Sequence, residues 1–577
     1  MLFWVTWNFQ DKPLKAANFK IRNRRSQRRA VHGTKPKKAS SGGSVLKKLT
    51  GLLTGLLVAL LASSIVSTSI PRIVNDLAGS QATFTWIVTG TLLAITVSTP
   101  IWGKLADLLD RKALVQAALL IFIAGSLLAG AAPEPGTLVA GRVIQGLGAG
   151  GLLTLVQVIM ADIISPRDRG KYMGLTGAVM TAGSVGGPLL GGVITDLAGW
   201  RWNFFASVPI ALASLVLIQF TLHLPRKRRT VTIDYAGAVF ITAGVSSLLV
   251  WISLGGSHLE WFSLQSLILL AVSFVLLITA VLIERKVAEP IIPLSLFRNL
   301  SFSLTVIASI SVGVAVYGTA VFMSQYLQLS RGASATDSGL IAMPQVIAVV
   351  VASTVVGALI SRSGKWKFWM VLGSSLLTLG LGCLSTIGVD TPIPLLWMYM
   401  AFVGLGIGMV MQNLVLVTQN TADVAQLGVA SAGVAFFRTL GGTIGVTVLG
   451  AALSSRAAHV IAENSESLRA QGIDPSVIST KRLPDIGSLS DPLRAVVSEA
   501  YAQGVAEVFL LSTPLALLSV IAIVFLPNVP LKRQTGLEQL AETEAGIAVD
   551  IAGGEARIVV DSEPDSATQV PSDSRRP

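Results

Sequence analysis

The chain has 577 residues, of which 52% are hydrophobic and only 13% charged, and its mean hydropathy is +0.69. Soluble globular chains carry about twice that charged fraction, so a surface facing mainly water is excluded and lipid must cover most of it. A single cysteine, Cys383 in an apolar run, excludes an intramolecular disulfide and any cysteine-based metal site.

The net charge of +13 is gathered at one end. Residues 1–49 form a polar arm with Arg22, Arg24, Arg25, Arg28, Arg29, Lys35, Lys37 and Lys38, and it is read as disordered. Beside a membrane domain such an arm is drawn to anionic lipid, at roughly 1 kcal/mol per basic residue, rather than to nucleic acid. The opening Leu2–Trp7 is too short for the core of a signal peptide, so the first long hydrophobic segment is expected to stay in the protein.

A spanning helix needs about 20 mostly apolar residues. In chain order, such segments lie near 51–70, 84–106, 112–132, 136–163, 171–195 and 202–223, then 234–255 and 263–283. The series continues near 301–326, 335–360, 366–389, 393–420, 430–453 and 504–526, making about fourteen spans. Alternate loops collect base: Lys104, Arg111 and Lys112; Arg167, Arg169 and Lys171; Arg226–Arg229; Arg285, Lys286 and Arg298; Arg362, Lys365 and Lys367. The opposite short loops hold little beyond Arg72, Arg201 and Arg331. Basic loops stay inside, which places both termini in the cytoplasm of a multi-pass cell-membrane protein. A polar outer loop is expected over 454–503, and a disordered acidic tail over 527–577 with Glu538, Glu542 and Glu544.

The chain also repeats itself. GKLADLLDRK at 103–112 matches GALISRSGKW at 357–366, pairing Gly103 with Gly357 and Arg111 with Lys365. A longer ungapped match pairs Gly146, Gly148, Asp162, Gly170, Gly183, Gly187 and Gly192 with Gly404, Gly406, Asn420, Gly428, Gly441, Gly445 and Gly450. Spans 2 to 5 therefore correspond to spans 10 to 13. The expected fold is an all-α integral membrane protein with a six-helix bundle at 50–223, two additional helices and linkers at 224–300, and a second six-helix bundle at 301–526. Parallel repeats of this kind place a binding site at the bundle interface and work by alternating access.

On these residues the chain resembles the major facilitator superfamily, and more narrowly its fourteen-helix drug:proton antiporters, over roughly residues 50–526. GKLADLLDRK resembles the family's loop between helices 2 and 3, with Gly103, Asp107 and Arg111 in place and Asp110 where glycine is usual. The resemblance implies a gating latch there, in which Asp107 pairs with Arg111 or with the positive N-terminus of a facing helix. AGRVIQGLGAGG at 140–151 resembles the fourth helix, whose arginine, Arg142 here, the family links to proton coupling. GSVGGPLLGG at 183–192 resembles the antiporter motif, with Gly183, Gly187, Pro188, Gly191 and Gly192 in place. Small residues at that spacing let helices approach closely, and a proline loosens the helix ladder. WRWNFF at 200–205 and FFRTLGG at 436–442 resemble the sixth and thirteenth helices.

One family feature is missing. Many members carry an aspartate in the first helix, and the matching position here is Ala62, among Ser63, Ser64, Ser67 and Ser69. Serine hydroxyls can bind substrate but cannot cycle a proton at physiological pH. The remaining carboxylates that could serve are Asp107, Asp162 and Glu507, with Asp107 read as structural before proton-carrying. Arg142 is either a coupling residue or a structural tie between helices, and the same alternatives stand for Arg438, whose repeat position holds Met180. Gln412 and Asn413 are either substrate contacts or interhelical glue. His32, His223, His258 and His459 have no metal-ligand spacing, no phosphate-binding loop follows a strand, and no catalytic set is visible.

These readings predict a secondary transporter, not an enzyme, that exports amphipathic or hydrophobic compounds in exchange for protons. It is expected to act as a monomer in the lipid bilayer, without cofactor, metal or nucleic acid. The alternatives are an exporter or flipper of lipid or of one defined metabolite on the same fold, and a membrane sensor that does not transport.

Overall fold

A computed structural model describes residues 42–66, 69–77, 81–224, 234–255, 263–287, 289–333, 335–470, 490–536 and 538–539. The basic arm through residue 41, Ser67, the run Arg226–Arg229, His258, residues 471–489 and the tail from 540 lie outside the described residues, as does the side chain of Pro188.

Among the described residues there is no β-strand, and fourteen helices run to fifteen residues or more. They are α1 Gly42–Ile65, α2 Gln81–Leu108, α3 Arg111–Gly130, α4 Pro135–Ile163, α5 Pro166–Ala198, α6 Ser207–Thr221, α7 Tyr235–Leu254 and α8 Leu264–Glu284. After them come α9 Leu300–Gln325, α10 Ala335–Ser363, α11 Trp366–Leu384, α12 Ile393–Thr421, α13 Leu427–Glu463 and α14 Asp491–Phe525. Twelve helices among the described residues are long and apolar enough to cross a membrane.

The helix starts are written in short polar signals. Asp110 caps α3 by accepting the Lys112 N–H at 2.9 Å, which explains an aspartate where the family resemblance expects glycine. Ser165 followed by Pro166 opens α5, Asp234 caps α7, Ser263 caps α8 and Asn299 caps α9. Three positive-φ turns among the described residues carry glycine: Gly199 (φ 91°) ends α5, Gly332 (φ 64°) precedes α10 and Gly364 (φ 74°) joins α10 to α11. The first expected span stops at Ile65 and resumes as a short helix, Ile70–Asp76. The sixth begins with a separate turn, Trp202–Phe205.

Among the described residues of the polar loop expected over 454–503, most are helical. α13 continues to Glu463 and α14 starts at Asp491, with Ser465–Ala470 between them. Ala457, Val460 and Ile461 pack against Ala500, so one apolar stripe holds the two extensions together; Arg456 adds a hydrogen bond to Gln503 of α14 at 2.9 Å, while Glu463 is exposed. Sequence polarity alone hides such a stripe.

From Lys47 onward the helices pack in two groups. α4 packs on α2 and α3, and α3 on α6. Ser214 on α6 donates to the Gly51 carbonyl of α1 at 2.8 Å. In the second group α9, α11 and α13 pack around α14, while α12 packs on α10 and α11. The groups meet chiefly along two seams, α2 with α13 and α5 with α10. Since the repeat equates α2 with α10 and α5 with α13, each seam is the pseudo-symmetric image of the other. The hairpin of α7 and α8 leans on the first seam through Ile241, Val245, Leu249 and Ala280 against Val97 and Phe436. Its outer side is apolar and exposed, with Leu264, Val275 and Ile278 bare, as a lipid-facing helix requires.

The α2–α3, α4–α5, α8–α9 and α10–α11 loops share one end of the molecule, called here the basic end. Residues 527–536, expected to be disordered, instead dock there as an extended strap. Trp366 Nε1 donates to the Val529 carbonyl at 2.9 Å, Lys367 Nζ to the Leu526 carbonyl at 2.7 Å, and Leu531 is buried.

Candidate functional site

Three features stand out where the sequence signals converge: a buried arginine, a glycine seam and a charged clasp. Arg142 lies on α4 and is 3% exposed. Its Nη1 donates to Gln145 Oε1 at 2.6 Å, one helical turn away, and to the carbonyl of Ala62 on α1 at 3.3 Å. Gln145 Nε2 continues to Ser126 Oγ on α3 at 2.8 Å, and the Phe204 ring lies 5.9 Å from the guanidinium carbon. Nε of Arg142 has no hydrogen-bond partner among the described residues. The network is possible because α3 and α4 nearly touch: a Cβ on Gly141 would lie 2.6 Å from the Ala129 nitrogen. Arg142 thus reaches the position where the family resemblance expects an aspartate, but finds only the backbone of an alanine.

The glycine seam joins α5 to α1. Ser64 Oγ donates to the Gly183 carbonyl at 2.7 Å. A Cβ on Gly183 would lie 2.7 Å from Leu60 Cβ, and one on Gly187 would collide with Ser64 Oγ. Gly191 is buried, whereas a Cβ on Gly192 would have nothing within 4 Å. The motif therefore divides into positions that meet α1 and one that does not.

At the basic end Asp107, Arg111 and Asp162 come together. The Asp107 carboxylate accepts the N–H of Gly428 at 2.8 Å and of Val429 at 2.9 Å, which are the first turn of α13. A carboxylate on a helix N-terminus takes up unsatisfied N–H groups and meets the positive end of the dipole. Arg111 Nη2 lies 3.5 Å from Asp107 Oδ1, Nη1 pairs with Asp162, and Nε donates to the Ala106 carbonyl at 2.8 Å. Gly103 is where α2 meets α13: a Cβ there would collide with Ala432 and lie 2.9 Å from the Gly428 carbonyl. Across the second seam Gly170 and Gly357 abut backbone to backbone.

The clasp also recruits residues that the sequence did not single out. Arg169 is 1% exposed, pairs with Gln419 of α12 and donates to the carbonyls of Ala161 at 3.1 Å and Ile164 at 2.9 Å. Gln419 in turn donates to Ser431 Oγ at 2.8 Å and to the Gln157 carbonyl at 3.3 Å. The available signal was position, since Arg169 immediately precedes the seam glycine Gly170. The strap joins both groups: Asn420 Nδ2 donates to the Pro530 carbonyl at 3.1 Å, and the Lys532 N–H donates to Asn420 Oδ1 at 2.9 Å. The Arg167 N–H donates to the Lys532 carbonyl at 3.2 Å, and a Cβ on Gly536 would lie 3.3 Å from Asp162 Oδ1.

The other candidates stand apart from these sets. Arg438 is buried on α13 with Nη1 unpartnered among the described residues, its backbone pressed against Gly313 of α9. Gln412 Nε2 reaches Met180 Sδ on α5 at 3.1 Å, while Asn413 turns back to its own helix at the Met409 carbonyl, 2.7 Å away. Because α14 begins at Asp491, Glu507 is well inside that helix, and it faces Arg456 at 3.6 Å with its side chain 40% exposed. At the far end WRWNFF forms a knot: Trp200 Nε1 donates to Asp76 at 2.9 Å, and Asn203 Nδ2 to Ser69 at 2.7 Å and Thr195 at 2.8 Å. No group of three or more metal-ligating side chains occurs among the described residues.

Comparison with known proteins bears on this arrangement. The family profile described as Major Facilitator Superfamily matches residues 52–446. The chain is 31% identical to Multidrug resistance protein 3 of Bacillus subtilis, covering 86% of this chain and 98% of that protein. It is 30% identical to Multidrug transporter protein MdtP of the same organism, covering 72% and 76%. An uncharacterised MFS-type transporter of Mycobacterium tuberculosis is 34% identical over 70% of this chain, and the match spans 58% of that protein's length. Among solved structures, the human organic anion transporter MFSD10 superposes with a TM-score of 0.54 at 14% identity, covering 82% of this chain and 99% of that one. The proton:xylose symporter XylE gives 0.54 at 13% identity, covering 87% and 99%. At such identities the shared property is the fold. With the family profile matched over most of its length on that fold, the chain belongs to the Major Facilitator Superfamily, whose members are transporters rather than enzymes.

Proposed function

We propose that this chain exports amphipathic or hydrophobic compounds across the cell membrane by alternating access, in exchange for protons. It would act as a monomer, with the basic end and both termini in the cytoplasm. The orientation rests on the basic loops sharing one end. The export reading draws on relatives named for multidrug transport and multidrug resistance.

The observation that carries the reading is Arg142. An arginine within a spanning helix costs roughly 2.5–3.5 kcal/mol, and among the described residues it is met by one amide oxygen and one backbone carbonyl, with Nε unused. A structural tie would fill its donors; an unfilled donor beside the α1–α5 glycine seam suits a residue that changes partner during the cycle. The basic-end clasp, closed by Asp107 on the start of α13, then belongs to the state that opens toward the far side.

A second reading, carriage of lipid or of one metabolite without proton exchange, is favoured by Ala62, which leaves Arg142 facing no carboxylate of α1. Dye flux in proteoliposomes with an imposed pH gradient separates the two. Flux that follows the gradient and falls at least tenfold in Arg142→Ala supports antiport; the tenfold loss is about 1.4 kcal/mol. Equal flux with and without a gradient sinks antiport and makes lipid or facilitated transport the leading reading.

A further inference from the structure

The carboxylates singled out from the sequence are all committed: Asp107 to a helix N-terminus, Asp162 to Arg111, Glu507 to Arg456. A different pair keeps one oxygen without a hydrogen-bond partner among the described residues. Asp234, 7% exposed, begins α7, and Glu284, 6% exposed, ends α8. Both close on the α-carbon of Gly237, where a Cβ would collide with Asp234 Oδ2 and lie 2.8 Å from Glu284 Oε1. Asp234 Oδ1 accepts the Gly237 N–H at 2.8 Å, but Oδ2 is buried with no hydrogen-bond partner among the described residues. Glu284 accepts the N–H groups of Ile291 at 3.2 Å and Ile292 at 3.3 Å, fastening the α8–α9 linker.

We propose that Asp234 and Glu284 together form a proton-binding site on the α7–α8 hairpin, holding a single proton between their carboxylates. Two buried carboxylates flanking one α-carbon repel each other strongly when both are ionised. Every oxygen of the pair except Asp234 Oδ2 has a donor, and a shared proton supplies the one that is missing. The proton belongs to the pair, as in any tightly interacting couple, rather than to either residue.

Glu284, though not Asp234, lines a pocket of about 500 Å³ at the basic end, together with Lys104, Asp107, Glu289, Gln426 and Val429 among others. The charged groups facing it are Lys104 and Asp107 from α2, and Arg285 and Glu289 from the linker; α13 contributes only uncharged side chains. Lys104 is held by Glu289 at 2.6 Å. Loss of the proton sets two charges side by side under the linker that walls this pocket, next to the Asp107–Val429 contact of the clasp. Protonation at the basic end thereby favours the closed clasp. The existence of the site is independent of the antiport reading; its role is a pH response of the clasp rather than carriage of the exchanged proton, and that role rests on the alternating-access reading.

The test is infrared difference spectroscopy on the full chain in liposomes, following the carbonyl band of a protonated carboxyl as pH rises. Asparagine caps helices as well as aspartate, so Asp234→Asn keeps the start of α7. The expected result is a pH-sensitive band in the native chain that is lost in both Asp234→Asn and Glu284→Gln. No band in the native chain, or one that survives in both variants, overturns the site. In the flux assay, the response to pH on the basic side should flatten in Asp234→Asn, and an unchanged response overturns the link to the clasp. A band that behaves as expected in a chain whose flux ignores the gradient supports the site and sinks antiport.

Discussion

The two seams between the helix groups are images of one another in the repeat, yet they are held by different chemistry. Where α2 meets α13, a glycine crossing is reinforced by the Asp107 carboxylate on two backbone N–H groups. Where α5 meets α10, the glycine crossing recurs as Gly170 against Gly357, but the position equivalent to Asp107 is Ser361. There the groups are tied by Arg167 donating to the Arg362 carbonyl at 3.2 Å and by the strap. The same asymmetry separates Asp162 from its equivalent Asn420: the acid binds Arg111, while the amide, able to donate and accept at once, holds the strap. Duplication therefore set where the groups touch, and later substitutions set how firmly. One seam is an electrostatic clasp, the other a packing surface with a peptide brace.

The largest effect should come from the shared element. Gly170→Val puts three carbons where the Gly357 carbonyl already lies, and overpacking of about 3 kcal/mol corresponds to roughly a hundredfold loss of flux. Spin labels on the ends of α5 and α10 should report a wider basic end, and an unchanged distance would show that the seam does not need to close. An intermediate effect should divide the seams. Asp107→Asn weakens charge-assisted bonds worth about 1.5 kcal/mol, roughly tenfold in the balance between states, whereas Ser361→Ala should stay within about 0.5 kcal/mol. Equal responses of the two variants in the flux assay would erase the distinction drawn between clasp and packing surface. The smallest effect is on the brace. Asn420→Asp removes the donor to the Pro530 carbonyl and leaves the acceptor for Lys532, so amide exchange over 526–536 should quicken a few-fold, about 1 kcal/mol. Protection identical to the native chain would mean the strap is held without Asn420.

Much of the site was legible because its signals are short-range or periodic. Asp107 and Arg111 flank one tight loop, and Gly183 with Gly187 is one face of a helix, so short spacing already puts each pair together. The clasp's third member, Asp162, could be nominated as a carboxylate but not paired, since Arg111 is far from it in sequence. Asp234 and Glu284 were passed over because each reads as an ordinary charge at the end of a span. They become a site only when the hairpin closes and brings both to Gly237.

The sequence by itself determined that this is a helical membrane protein with a basic loop end, a duplicated four-helix core and two extra helices, because hydropathy, loop charge and glycine spacing are properties of the chain alone. The tertiary structure decided which buried charges have partners. It placed Arg142 against a bare carbonyl of Ala62, extended α13 and α14 from either side into the polar stretch 454–503, and laid residues 527–536 across the basic end as a brace. Those outcomes depend on contacts between residues distant in sequence, and no local pattern encodes which of several compatible partners a buried polar group will meet.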